Sequence, residues 1–195
     1  MKHFLIILLA FFCLNTSFGQ LKKDNWLLMS GGSFYACKQE SNTTNLTYYT
    51  RELNASFLSS IGYFVNDKFV IGIGNRLSAE KYQLIGQDVG IQNFRFSLGP
   101  FLRYYFLPDD KNFNIFTDID YQLGINSNFG SYKGKHNLFS VSPGLEVFFN
   151  STVGLHVKMG YSKKVSSAYG LPSDEQKGVK NGFESSIGIS IHLEK

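Results

Sequence analysis

Ionisable residues recur on one side of a two-residue alternation in this chain: Arg76, Glu80, Arg95, Arg103, Asp118, Asp120, Glu146, His156, Lys158, Glu184 and His192. Charges gathered in an interior must be paired or hydrated, so such a set can form an ion-pair plug or, if hydrated, a proton or ion path. His156, His192 and Glu184 are the residue types of a metal site, but they lack close ligand spacing and no metal is expected. Acyl-transfer chemistry needs a base within hydrogen-bond reach of a nucleophile. His136, flanked by Lys135, Asn137 and Leu138, has no adjacent serine, so no catalytic residue, no cofactor and no enzymatic activity are expected.

Those residues need elements to position them, and composition narrows the choice. Charged residues make up 17% of the chain and aromatic residues 16%, against about 25% charged in soluble domains. Nineteen glycines and nineteen phenylalanines beside four prolines favour strands and turns over helices. The formal net charge of +4 is scattered, with Lys163 and Lys164 near Lys158 as its tightest group, and carries no nucleic-acid footprint.

Met1, Lys2 and His3 precede an apolar run from Phe4 to Leu14 that is too short for a helical span and reads as a signal peptide over residues 1–19. Ser17, Phe18 and Gly19 supply a small-x-small cleavage pattern that leaves Gln20 as the first mature residue of a single domain over 20–195. A lipoprotein anchored at Cys13 is the alternative, against which stand the rings of Phe11 and Phe12. Removing the leader leaves Cys37 as the sole cysteine, so no internal disulfide is expected.

From Trp26 onward the dominant period is two. Phe113, Ile115, Thr117, Ile119, Tyr121, Leu123 and Ile125 share one face, while Asn114, Phe116, Asp118, Asp120, Gln122, Gly124 and Asn126 share the other. The same alternation marks Trp26 to Cys37, Tyr49 to Val65, Phe69 to Tyr82, Asn93 to Phe106, Asn137 to Phe149, Thr152 to Ser162 and Phe183 to Leu193. Short polar turns at Asn66 to Lys68, Pro108 to Lys111 and Asn150 to Ser151 alternate with longer loops at Lys38 to Leu46, Gln83 to Gln92, Ser127 to His136 and Lys163 to Gly182. The expected fold is all-β, an eight-stranded antiparallel up-and-down transmembrane β-barrel with both termini on the short-turn side. Pro100 and Pro143, each mid-pattern, are expected to mark bulges.

Sidedness separates a membrane barrel from a soluble one. The charged face is interleaved with glycine and serine, as a narrow lumen requires, whereas the opposite face is almost free of charge. Aromatic residues gather at strand ends: Tyr63, Phe69, Tyr104, Phe106, Phe113 and Phe149 at the turn rim, and Tyr49, Tyr82, Phe94, Tyr121, Phe139 and Tyr161 at the loop rim. Two girdles about an apolar band suit a lipid interface. A secreted lipocalin-like binding barrel shares the period with the faces exchanged and stays open as an alternative.

The run Gly99, Pro100, Phe101, Leu102, Arg103, Tyr104, Tyr105 and Phe106 resembles the recurrent strand of bacterial outer-membrane β-barrels of OmpA and OmpX type. So does Ile61 to Lys68, a strand entering a tight turn. The resemblance, over roughly Trp26 to Leu193, implies an outer-membrane location, contact with membrane lipid and lipopolysaccharide, and insertion by the outer-membrane assembly machinery. The last residues, Ile191 to Lys195, lack the terminal aromatic of that family, and no peptidoglycan-binding domain is expected. The expected role is non-enzymatic, structural or surface-interacting through the loops and an unidentified surface ligand; a narrow pore for small solutes is the alternative. Intact-mass measurement of the exported chain should show Gln20 at its amino terminus; retention of residues 1–19 overturns the cleavage assignment.

Overall fold

The computed structural model describes residues 21–43, 46–84, 90–108, 111–128, 133–168 and 177–194. The segment read as a signal peptide and the tips of the four long loops lie outside the described residues, as do the side chains of Tyr49 and Tyr82. Eight strands follow one another: β1 (Trp26–Thr43), β2 (Leu46–Asn66), β3 (Phe69–Leu84), β4 (Gly90–Tyr105), β5 (Phe113–Asn128), β6 (Lys133–Phe148), β7 (Val153–Ala168) and β8 (Lys177–Leu193). Each pairs antiparallel with the next, and β8 returns to β1, so the sheet is a closed barrel.

Alternation decides the faces. Arg103 is 0% exposed, while its neighbours Leu102 and Tyr104 are 38% and 43% exposed. Ile115, Ile119, Leu123 and Ile125 on β5, with Ile187, Ile189 and Ile191 on β8, likewise point outward. This belt belongs in hydrocarbon, since it far exceeds the apolar patch a soluble monomer exposes. A lipocalin-like barrel requires the reverse sidedness and is excluded. In β1, where Leu27, Leu28 and Met29 leave the facing ambiguous in sequence, Leu27 and Met29 turn inward.

Two expectations are corrected. The segment Lys163 to Gly182, read as a loop, is strand at both ends, β7 running to Ala168 and β8 starting at Lys177. The other three long loops are shortened in the same way. Beyond the lipid both faces of a strand meet water, so pairing continues where the side-chain period fades. Pro100 and Pro143 do not form bulges. Pro100 stays opposite Ile73, and the β4–β5 ladder skips it while keeping register from Leu98↔Leu123 to Phe101↔Asp120. Pro143 likewise stays opposite Thr117, and the β6–β7 ladder resumes in register at Gly144↔Lys158. A missing N–H weakens only the ladder it would have served. The described register shift lies between Phe64 and Asn66, at the β2–β3 turn.

The short turns are fastened by asparagine. Asn66 Oδ1 accepts from Lys68 N at 3.0 Å, and Asn150 Oδ1 accepts from Thr152 N and Val153 N, both at 2.8 Å. Asn114 spans the β4–β5 connection, accepting from Leu107 N and donating to Leu107 O, each at 3.0 Å.

A feature absent from the sequence reading closes this rim. Residues preceding β1 fold into the barrel mouth, where Leu21 joins Leu27, Met29, Phe64, Val70, Phe101, Tyr105, Phe116 and Phe148 in one buried apolar cluster. Asp24 N donates to Phe64 O and Phe64 N to Asn25 O, both at 3.0 Å, while Tyr63 donates its hydroxyl to Asp24 Oδ1 at 2.6 Å. Asp24 sits at φ 74°, a left-handed conformation that aspartate tolerates better than most residues.

The β1–β8 seam needs glycine where Gly31 faces Gly188. A Cβ on Gly31 would stand 2.7 Å from the Ile187 carbonyl oxygen. Gly31→Ala should therefore lower the unfolding free energy in micelles by about 2 kcal/mol, the usual scale of overpacking. Gly182→Ala, whose Cβ meets nothing within 4 Å, should change it by less than about 0.5 kcal/mol. Urea titration followed by gel mobility distinguishes the two.

Candidate functional site: a filled lumen beneath a cationic vestibule

Inward positions of β4 through β8 carry the first cluster. Arg103 on β4 lies opposite Asp118 on β5. It grips that carboxylate with both arms of its guanidinium, Nε to Oδ1 at 2.6 Å and Nη2 to Oδ2 at 2.9 Å. Its third nitrogen, Nη1, donates at 3.2 Å to Glu146 on β6 and to the Tyr105 hydroxyl. Tyr105 in turn donates to Glu146 at 2.7 Å. The other Glu146 oxygen accepts from Ser190 and lies 3.0 Å from His192 Nε2, both on β8. Lys158 on β7 reaches Asp118 at 2.7 Å and lies 4.0 Å from Asp120, which also accepts from Ser140 at 3.3 Å.

Arg103, Asp118 and Glu146 are at most 1% exposed, so desolvation is severe and must be offset by pairing. Bidentate geometry supplies that pairing. Aromatic faces complete the enclosure: the guanidinium carbon lies 3.7 Å from the Phe116 ring centre, and Phe64 and Phe148 pack 5.9 and 5.5 Å from the His192 ring. A Cβ on Gly144 would strike the Phe116 ring, so glycine there makes room for the ring under the arginine. Charge and ring together fill the barrel's section at this height.

A second cluster stands nearer the loops. Arg76 donates to both oxygens of Glu184, at 2.6 and 2.7 Å, and Ser33 adds its hydroxyl to Glu184 at 2.7 Å. Glu80 accepts from Arg95, from Lys164 at 3.2 Å and from Asn54 at 2.8 Å. Between the clusters, Ser97 donates to Gln122 at 2.9 Å. The second cluster lines a vestibule of about 110 Å³, with His136, Leu138, Lys180 and Phe183 also on its wall. A small extension of about 10 Å³ beside Asp120 and Lys158 leads toward the first cluster.

Every ionisable residue read from the alternation faces inward, and all but His156 fall into two groups. Arg103, Asp118, Asp120, Glu146, Lys158 and His192 are joined in one; Arg76 with Glu184 and Glu80 with Arg95 form the other. His156 packs edge-on to Phe116, with ring centres 6.2 Å apart, outside both ion-pair chains. His156, His192 and Glu184 do not converge, and among the described residues no cluster suits a metal ion. Sequence reading missed Tyr105, Ser190 and Lys164. Tyr105 and Lys164 share the parity of Arg103 and Lys158: Tyr105 lies inside the strand read over Asn93 to Phe106 but carries no charge to mark it, and Lys164 lies one alternation beyond the strand read over Thr152 to Ser162. His136 is buried in the vestibule wall, and no serine hydroxyl is hydrogen-bonded to it among the described residues.

No protein-family model matches this chain, and no curated protein matches it. Among solved structures it is similar to the outer membrane protein OprG from Pseudomonas aeruginosa, with a TM-score of 0.64 and 11% identity, covering 93% of this chain and 100% of that one. The N-terminal β-barrel domain of Pseudomonas aeruginosa OprF aligns at a TM-score of 0.47 and 14% identity, over 88% of this chain and 98% of that one. Neisserial surface protein A aligns at 0.47 and 13%, over 88% and 97%. The likeness to OprG is one of fold: a closed barrel of the outer-membrane kind.

Removing the buried cation takes from Asp118 and Glu146 the guanidinium they share, so Arg103→Met should cost about 3–5 kcal/mol of unfolding free energy, the scale for breaking a buried pair. Arg76→Met should cost less, because the Glu184 side chain it abandons is 24% exposed. Denaturant titration in the same micelle measures both; equal losses would show that burial does not set the difference.

Proposed function

We propose that this integral outer-membrane barrel is a non-conducting, non-enzymatic scaffold that holds its loops at the cell surface. The observation that carries the reading is the occupied lumen. Arg103, Asp118 and Glu146 form a buried ion-pair crossing within an aromatic collar, and the apolar cluster around Leu21 lies at the turn rim. Ions moving along the axis would have to break a bidentate pair and displace packed rings. The lipid-facing belt supports the membrane location, with lipid and lipopolysaccharide as the surrounding partners and the assembly machinery as the route in. The vestibule ends above the ion pairs, so the barrel offers the outside a shallow polar cup on a rigid stem.

Planar bilayers tell this reading from the narrow-pore alternative. Purified wild-type chain should give no steady ohmic current, and Arg103→Ala combined with Glu146→Ala should open small steps if the ion pairs are the barrier. A wild-type current whose ion selectivity changes on Glu146→Ala would replace the scaffold reading with a pore. Location is checked by fractionation: the chain should appear in outer membranes with a mobility that changes on boiling, and recovery in the soluble periplasm would overturn it.

A further inference from the structure

On the lipid-facing side of β3 one residue breaks the run of hydrocarbon. Ile73 and Leu77 point outward at 56% and 50% exposure, and Asn75 between them shares their parity. Its register partners face lipid as well: Leu98 on β4 is exposed, and Ser59 on β2 lies between the outward Phe57 and Ile61. Asn75 stands midway along the chain between Phe69 and Tyr82, the two girdle positions read on this strand, and so lies deep within the apolar belt. Among the described residues, no other amide side chain occupies an outward position between the girdles.

An amide group carries two N–H donors and a carbonyl acceptor. Asn75 uses one N–H on the Ser59 hydroxyl, Nδ2 to Oγ at 2.8 Å, and its carbonyl and second N–H have no partner among the described residues. At this depth neither water nor a lipid headgroup reaches them, and an unpaired polar group in hydrocarbon is costly. Acyl chains offer nothing to hydrogen-bond, whereas a second protein surface can. Polar side chains hold spanning elements together in membranes in this way, helped by small neighbours that allow close approach. Small neighbours are present here: the paired row Ser30, Ser59 and Asn75 crosses β1, β2 and β3, and Gly32 is the next outward position on β1.

Symmetry selects the partner. Copies of one chain insert in one orientation, so the two-fold axis of an isologous pair runs along the membrane normal and keeps each residue at its own depth. Asn75 of one copy therefore finds Asn75 of the other at the same depth. Facing amides are self-complementary, each N–H donating to the other's carbonyl, so a single contact satisfies the unpartnered groups of both. We propose that this face is a homodimer contact, in which two copies of the chain pack side by side through β1, β2 and β3 around a reciprocal Asn75 amide pair.

The test is sedimentation equilibrium of the mature chain in density-matched detergent micelles, where a reversible monomer–dimer equilibrium is expected. Asn75→Leu should raise the dissociation constant of the dimer about tenfold without lowering the urea midpoint of the barrel, since leucine suits a lipid-facing position. Asn75→Gln, which keeps an amide, should retain the dimer. So should Ser59→Ala, which removes only the internal hydrogen bond, and Val157→Trp, which alters the exposed lipid face of β7 on the far side of the barrel. Mobility that changes on boiling confirms that each variant is folded. A wild type that stays monomeric at every concentration, an Asn75→Leu dimer as tight as wild type, or equal weakening by Val157→Trp overturns the proposal. So does a wild type that associates only with a different barrel, which would assign the face to that partner. None of these outcomes bears on conductance through the single barrel, so the scaffold reading stands or falls separately.

Discussion

Every backbone N–H that enters hydrocarbon must find a carbonyl, because no water is there to take its place. For a chain without a long apolar run, that constraint leaves a closed sheet, and the rest of the architecture follows from closure. A closed sheet has an inside and an outside, so alternate residues are committed to opposite solvents. Lipid excludes charge from one set, and arginines, lysines and carboxylates are collected in the other. At this strand number the collected set has almost no water to share, so it must neutralise itself. The Arg103 cluster is that neutralisation carried through at one height of the barrel.

Parity made much of this legible in the amino-acid sequence. Strand number, sidedness and the inward facing of each charged residue depend on a period of two, which survives wherever lipid lies on one side. What parity could not show was partnership. Arg103 opposite Asp118 follows from pairing adjacent strands, but Arg76 with Glu184 joins β3 to β8 across the lumen, and Lys164 with Glu80 joins β7 to β3. Such contacts depend on barrel diameter and stagger, which alternation does not encode. Leu21 was illegible for another reason: a single apolar residue outside any strand has no period to betray it. The strand extensions beyond the membrane were lost because water on both faces removes the pressure that writes the pattern.

The lumen is graded along its axis. Packed rings and aliphatic groups lie at the turn rim, a buried polar network above them, and a cup lined by arginine, lysine and glutamate faces the loops. Each zone is stabilised by a different effect: apolar burial, bidentate pairing in low dielectric, and solvation. Among the described residues the β1–β8 ladder runs from Trp26↔Leu193 to Ser33↔Ser186, alongside the apolar and ion-paired zones, and beyond it the Ser33 hydroxyl ties the two strands through Glu184.

The Arg103 network has a consequence for how the barrel is put together. Its members come from β4, β5, β6, β7 and β8, more than half the circumference. Sliding any one of these strands by a single residue would turn its polar member toward the acyl chains and leave the others without a counter-ion. A misaligned sheet would therefore be penalised at several sites at once. The buried ion pairs thus tie the registers of five strands to one another.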